Sequence, residues 1–230
     1  MARGTPQQVQ ATRQSILEAA VQVFLERGYH RSAMQHVADR AGVTRGAVYW
    51  HFRDRLDLLD ALLGMTPLPW QVLISAPEPV AAHAPAAQQW LALTRMAVAP
   101  LVRLEGSVPA QQLLCILGQM NAPDGCTVLR SRLDAGRDAG LQCLQTALRH
   151  AVASGAMRQR PKREGAQAHG ACVRGAPLRS AKADPEAAAL GLFALVDGLM
   201  QQWLRQPAAF GLTAVGTQAV QALLAGLPQY

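Results

Sequence analysis

From residue 44 to residue 55 the chain reads Thr-Arg-Gly-Ala-Val-Tyr-Trp-His-Phe-Arg-Asp-Arg, a run whose side chains suit contact with a nucleic-acid duplex. Arg45 has the planar fork that donates two hydrogen bonds at once, most naturally to O6 and N7 of guanine. Gly46 and Ala47 carry so little side chain that a helix backbone holding them can approach a groove closely. Tyr49, His51, Arg53 and Arg55 can donate to phosphate oxygens, contacts that orient a protein on DNA without reading its sequence. Adding Trp50 and the polar residues around the two helix starts, the expected DNA-contacting set is Ser32, Gln35, Thr44, Arg45, Gly46, Ala47, Tyr49, Trp50, His51 and Arg55. The competing account is an ordinary helical hairpin in which Tyr49, Trp50 and Phe52 pack inside. Such a row of rings beside Arg45, Arg53 and Arg55 cannot all turn toward one interior, so contact with DNA is the better account.

Presenting those side chains requires two short helices joined by a tight turn. Ser32 followed by Gln35 has the capping-box spacing and is expected to open the first helix. Met34, Val37, Ala38 and Ala41 form its buried stripe, with the small Ala38 where the helices touch. Gly42 allows the reversal, Val43 plugs the corner and Thr44 starts the second helix. This is a helix-turn-helix layout. Upstream, Ile16, Leu17, Ala20, Val23 and Phe24 lie on one face of a supporting helix expected from about Thr12 until Gly28 stops it; residues 1–11 read as a flexible arm with Arg3 as its charge. Downstream, Asp54 and Asp57 suit the start of a fourth helix with Leu56, Leu59 and Leu63 on its buried side, until Pro67 and Pro69 break the pattern.

Residues 16–63 resemble the DNA-binding domain of TetR-family transcriptional regulators. The likeness is carried by Ala19-Ala20, Phe24, Gly28-Tyr29, Val37-Ala38, Ala41-Gly42-Val43, Gly46, Tyr49, His51-Phe52 and Leu58-Leu59. The Tyr-x-His-Phe end is its most specific part. Ala33 stands where the family usually has Thr or Ser, which removes one hydroxyl, and Arg55 replaces the usual Lys with its charge kept. In that family the fourth helix links the DNA-binding head to the body, so a shift in it would tilt the recognition helix. Leu190 to Phe210, with Val-Asp-Gly-Leu and Gln-Gln-Trp-Leu, resembles the carboxy-terminal region of the multidrug-efflux repressor branch.

The body adds no sheet signal. Helices are expected near residues 86–104, 109–120 and 127–154, then from Asp184-Pro185-Glu186 to about Pro207, and last around 213–224. The fold class is therefore all-α: an amino-terminal three-helix helix-turn-helix domain over residues 1–53, and a helical effector-binding and dimerisation bundle over 54–230. The last two helices are apolar over more than one side, which suits a four-helix interface between two copies. Half of the residues are hydrophobic and 16% are charged, as in a folded chain. The net charge of +7 owes much to residues 158–182, where Arg158, Arg160, Lys162, Arg163, Arg174, Arg179 and Lys182 face Glu164 alone, so the pI says little about the DNA face.

Cys115, Cys126, Cys143 and Cys172 form no Cys-x-x-Cys pair, which argues against zinc and against a disulfide scaffold. The amino end lacks the apolar core of a signal peptide, and no stretch is expected to span a membrane; the expected location is the cytoplasm. Gly165 and Gly170 have phosphate-loop spacing, but Ala171-Cys172 follow in place of Lys-Ser/Thr. No enzymatic constellation is present, and no cofactor or metal is expected. A small-molecule cavity needs only an apolar lining with a few polar groups. Trp90, Leu93, Met96, Leu114, Ile116, Leu117, Leu144, Phe193 and Val196 could line one, and Asp197, a charge inside an apolar helix, could bind a cationic drug or a ligand hydroxyl. Plain core packing accounts for the apolar residues equally well, and a contact across the dimer for Asp197.

The partners expected are thus a double-stranded DNA operator, a second copy through the last two helices, and a small hydrophobic or cationic effector, with no membrane. The function implied is a homodimeric repressor released by its effector and controlling a drug-efflux operon. A regulator of a metabolic operon and an activator of the same fold are the alternatives. The basic, glycine-containing segment at 155–183 reads as a long flexible loop inserted in the bundle. Deleting it should leave operator affinity nearly unchanged in a fluorescence-anisotropy titration; a large loss with a shallower salt dependence would mean that it touches DNA.

Overall fold

A computed structural model of the chain describes residues 5–75, 84–120, 127–154 and 184–226, and every regular element among them is helical. In order these are α1 (Pro6–Arg27), α2 (Met34–Ala41), α3 (Arg45–His51), α4 (Arg55–Met65), α5 (Gln71–Ile74), α6 (Ala86–Glu105), α7 (Val108–Gly118), α8 (Thr127–Ala153), α9 (Pro185–Arg205) and α10 (Leu212–Gly226). Arg3 and the basic segment 155–183 lie outside the described residues. The chain divides into two compact units, one of residues 1–69 with 104–135 and the other of 70–103 with 136–230. Packing in the first unit continues past residue 53, because α4 contributes Leu58, Leu59, Leu62 and Leu63 to the same core as the helix-turn-helix.

That core is built from one face of each helix. Ile16, Leu17, Ala20, Val23 and Phe24 of α1 meet Met34, Val37 and Ala38 of α2, Val48 of α3, and Leu113 and Ile116 of α7. Each buried leucine or phenylalanine contributes roughly 1.5–3 kcal/mol relative to exposure. The turn between α2 and α3 closes by main-chain bonds: Val43 N–H donates to Ala38 O (3.0 Å) and Gly42 N–H to Asp39 O (3.3 Å), with Gly42 left-handed at φ 67°. This is the Schellman arrangement, which only glycine enters without a Cβ penalty.

Helix starts follow local capping chemistry, in two places against expectation. α1 begins at Pro6, six residues before Thr12: Thr5 Oγ1 accepts from Gln8 N–H while Gln8 Oε1 accepts from Thr5 N–H (2.8 Å), and proline takes the first turn. Residues 6–11 are therefore helix, not arm, with Thr5 as the cap. α2 begins at Met34, so Ser32 is not its cap; the Ala33 N–H donates to His36 Nδ1 (3.1 Å) instead. α4 starts as expected, with Asp54 Oδ1 accepting from the Leu56 and Asp57 amides (2.8 and 2.9 Å).

In the second unit α10 packs on α9, and the Trp203 indole donates to Phe210 O (3.2 Å) to fix the turn between them. The short α5 follows Pro69 where no helix was expected. α6 continues through Pro100, which costs the bond to the carbonyl four residues back. α9 is long and apolar enough to cross a membrane by length and composition alone. It is nonetheless a packing helix here, burying Ala189, Leu192, Val196, Met200 and Trp203. Gly216 of α10 is buried against α6, and a Cβ there would collide with Leu101 Cδ1, a side chain that is itself fully buried. Gly216→Val should lower stability by about 1–3 kcal/mol through overpacking, read from urea unfolding. Gly64→Ala, with nothing within 4 Å of its Cβ, should cost nothing.

Candidate nucleic-acid interface

α3 has seven residues, too few to persist alone, so its form depends on its cap and on its buried side. Thr44 Oγ1 accepts from Ala47 N–H (3.1 Å), and Val48 is fully buried. Phe52, just beyond the helix, is also buried, with the Arg13 guanidinium 5.0 Å over its ring. With those two inward, the helical phase turns Arg45, Gly46, Tyr49 and Trp50 outward; Trp50 is 71% exposed and Tyr49 44%. An exposed Trp of that degree on a helix this short is not spent on the protein's own core.

Arg45 and Tyr49 stand one turn apart and support each other. The guanidinium lies 5.3 Å over the phenol ring, and its Nη2 donates to Tyr49 OH at 3.4 Å. The contact gives an exposed arginine a neighbour on its own helix and occupies one of its five donors. Gly46 meets nothing of the protein closer than ordinary contact: a Cβ there would find only Thr44 Oγ1, at 3.9 Å. Packing within the chain therefore gives no reason for a glycine at this site. His51 is half-buried with Trp50 set edge-on to it at 4.6 Å. Burial first, and then the charge of Arg13, holds its imidazole below the ordinary 6.5.

The remaining members of the expected set divide. Gln35 is exposed on α2 and donates to Asp39 Oδ1 (2.6 Å), and Thr44 and Ala47 lie at the start of α3. Ser32 is corrected: it is 3% exposed, and its hydroxyl donates to Gly28 O (2.7 Å), because the loop before α2 turns it inward. Arg55 is also corrected as a phosphate donor. Its Nη1 lies 2.7–2.9 Å from the carbonyl oxygens of Tyr29, His30 and Ser32, and the guanidinium covers the Tyr29 ring at 5.2 Å. Arg13 was not anticipated; thirty-nine residues separate it from Phe52, and no local pattern joins them.

The residues expected around an effector fall in both units. Trp90, Leu93, Met96, Leu144, Phe193, Val196 and Asp197 belong to the second, whereas Leu114, Ile116 and Leu117 belong to the first, where Ile116 is fully buried and Leu117 packs against the core. Asp197 is not an open carboxylate: both its oxygens accept from Arg137 at 3.0 Å. That guanidinium also lies 5.4 Å over Phe193, which stacks on Trp70 with centroids 3.9 Å apart. Sequence spacing could not show a partner 60 positions away.

A duplex-reading helix mounted in a helix-turn-helix, followed by a helical body, defines a class of DNA-binding regulators. Residues 16–62 match the family of bacterial regulatory proteins named for TetR. The chain is 32% identical over 155 residues to the HTH-type transcriptional regulator SrpR of Pseudomonas putida, covering 67% of this chain and 68% of that protein. It belongs to the TetR family. Other curated relatives align over 62 to 72 residues, so the chain spans about a third to a half of their length at most. Among solved structures, the chain is similar to SmeT, the repressor of the Stenotrophomonas maltophilia multidrug efflux pump SmeDEF, solved with triclosan (26% identity, TM-score 0.65, 95% and 92% of the two chains). It also shares the fold of NalD from Pseudomonas aeruginosa (23% identity, TM-score 0.69, 96% and 98%).

Arg45→Ala should weaken operator binding by about 1–3 kcal/mol and relax selectivity at one base pair, with the melting temperature unchanged because the side chain is exposed. Anisotropy titrations against operators varied one position at a time would show this. Equal losses on every sequence would make Arg45 a phosphate contact.

Proposed function

We propose that this chain is a homodimeric repressor of a drug-efflux operon, working in the cytoplasm and leaving its operator when a small hydrophobic effector binds the body. The observation that carries the DNA contact is the outward row of Arg45, Gly46, Tyr49 and Trp50 on a helix whose opposite side is locked into the core. SrpR, SmeT and NalD support the regulatory class, and the last two are named as repressors of multidrug efflux pumps. The triclosan complex of SmeT supports a small-molecule effector.

A second copy is supported by the unpaired side of the last two helices. Ala187, Leu190, Ala194 and Gly198 of α9 are exposed, as are Ala214, Val215, Gln218 and Ala222 of α10, and none is charged. An uncharged face of mostly small or apolar residues suits self-association of helix pairs about a two-fold axis. Two recognition helices would then meet half-sites about one DNA turn, ~34–36 Å, apart. An effector that prefers the released conformation about 100-fold shifts the balance by roughly 2.7 kcal/mol, which decides occupancy when the two states are nearly even.

Footprinting on DNA upstream of neighbouring transporter genes should show a protected inverted repeat, occupied by two chains. Adding hydrophobic antimicrobials should then weaken protection at least tenfold. Protection that ignores every compound bound by the body would refute effector control, and absence of any protected site would refute operator binding.

A further inference from the structure

Three carbonyl oxygens of the loop between α1 and α2 converge on a single nitrogen. They belong to Tyr29, His30 and Ser32, at 2.9, 2.8 and 2.7 Å from Arg55 Nη1. These carbonyls sit in a segment outside any helix, entered through Gly28 at φ 77° and leading after one residue into α2. Local bonds also shape the loop: Ser32 N–H reaches Tyr29 O at 3.3 Å and the Ser32 hydroxyl reaches Gly28 O. Arg55 also covers the face of the Tyr29 ring, and that ring is buried edge-on against Phe24 of α1. A cation in the first turn of α4 faces the positive end of the helix dipole, an unfavourable place unless acceptors surround it. Here they do.

We propose that Arg55 is a positioning residue for operator recognition: from the first turn of α4 it holds the 29–32 loop, and so sets where α2 and the recognition helix stand. The proposal rests on the DNA-binding function above, and it gives Arg55 a role inside the protein instead of at a phosphate. Any displacement of α4 moves the donor relative to its three acceptors, so the head cannot keep its conformation while α4 shifts. A nitrogen with two hydrogens shared among three carbonyls also predicts what can replace it. An ammonium carries three donors, so lysine satisfies the site, and an apolar side chain satisfies none of it.

The test uses the full chain and an operator fragment that the wild type binds, with affinity measured across a series of salt concentrations. Arg55→Met is expected to lose tenfold or more in affinity while the slope of log K against log salt stays at the wild-type value. Arg55→Lys is expected to return within about threefold of the wild type. In DNA-free protein, the amide resonances of residues 29–36 should shift in Arg55→Met and return in Arg55→Lys. A slope shallower by about 0.9, the signature of one lost phosphate contact, with no amide shifts, would overturn the proposal; so would unchanged affinity. Should Arg55→Met fail to fold, Arg55→Gln keeps two donors without charge and is judged by the same slope and resonances. A wild-type chain that binds no operator at all would instead refute the functional assignment, and is seen before any variant is compared.

Discussion

A left-handed glycine sets the geometry on which the DNA-facing surface depends. Gly42 at φ 67° lets Val43 N–H reach back to Ala38 O and its own N–H to Asp39 O, so α2 ends and α3 departs at one angle only. An L-residue with a side chain would pay about 1–2 kcal/mol for that backbone. With the angle fixed, Val48 has one place to go, into the core, and the rest of α3 takes its orientation from that one buried side chain. Tyr49 and Trp50 are exposed because their neighbours on the helix are not.

The head then holds together through long-range contacts that share out the charges near the interface. Arg40 forks onto Glu26, tying α2 to α1, and Arg132 of α8 pairs with Asp60 of α4. Arg13 is taken by the Phe52 ring and Arg55 by loop carbonyls. The four arginines therefore each have a partner within the unit. Arg45 and Arg53 are held only by neighbours one turn away, Arg53 Nε lying 3.7 Å from Asp57 with its side chain 89% exposed and Arg45 resting on the exposed Tyr49. The division is between arginines tied to distant parts of the chain and those whose partner sits one turn away on the surface.

What was legible in the sequence follows the same division between local and distant partners. Gly42, the Thr44 and Asp54 caps and the Asp184-Pro185 start act within four residues, and each was readable as a motif. The starts of α6, α8 and α9 were likewise readable from helical periodicity and proline placement. Where local readings failed, two local motifs competed or the partner was far away. Thr5-Pro6-Gln7-Gln8 is a complete helix start that its uncharged, polar composition disguised as an arm. Ser32 has the right spacing for a cap, but a buried carbonyl claims its hydroxyl. Arg55, Arg13 and Asp197 were readable as charges and not as directions, since their partners lie 23 to 60 residues away along the chain and only the fold brings them in.

Asp197 shows how such a distant partner changes the chemistry expected of a residue. An isolated carboxylate on an apolar helix invites a cationic ligand, but here a guanidinium already fills both oxygens and the adjacent face of Phe193. A competing cation would have to displace a group tethered to the same chain, whose effective concentration is on the order of millimolar, and leave that guanidinium to find other acceptors. A neutral apolar compound faces no such competition and gains from every apolar surface it covers. In the Trp70–Phe193–Arg137–Asp197 stack the aspartate that looked like a drug anchor is the counter-ion of the protein's own arginine.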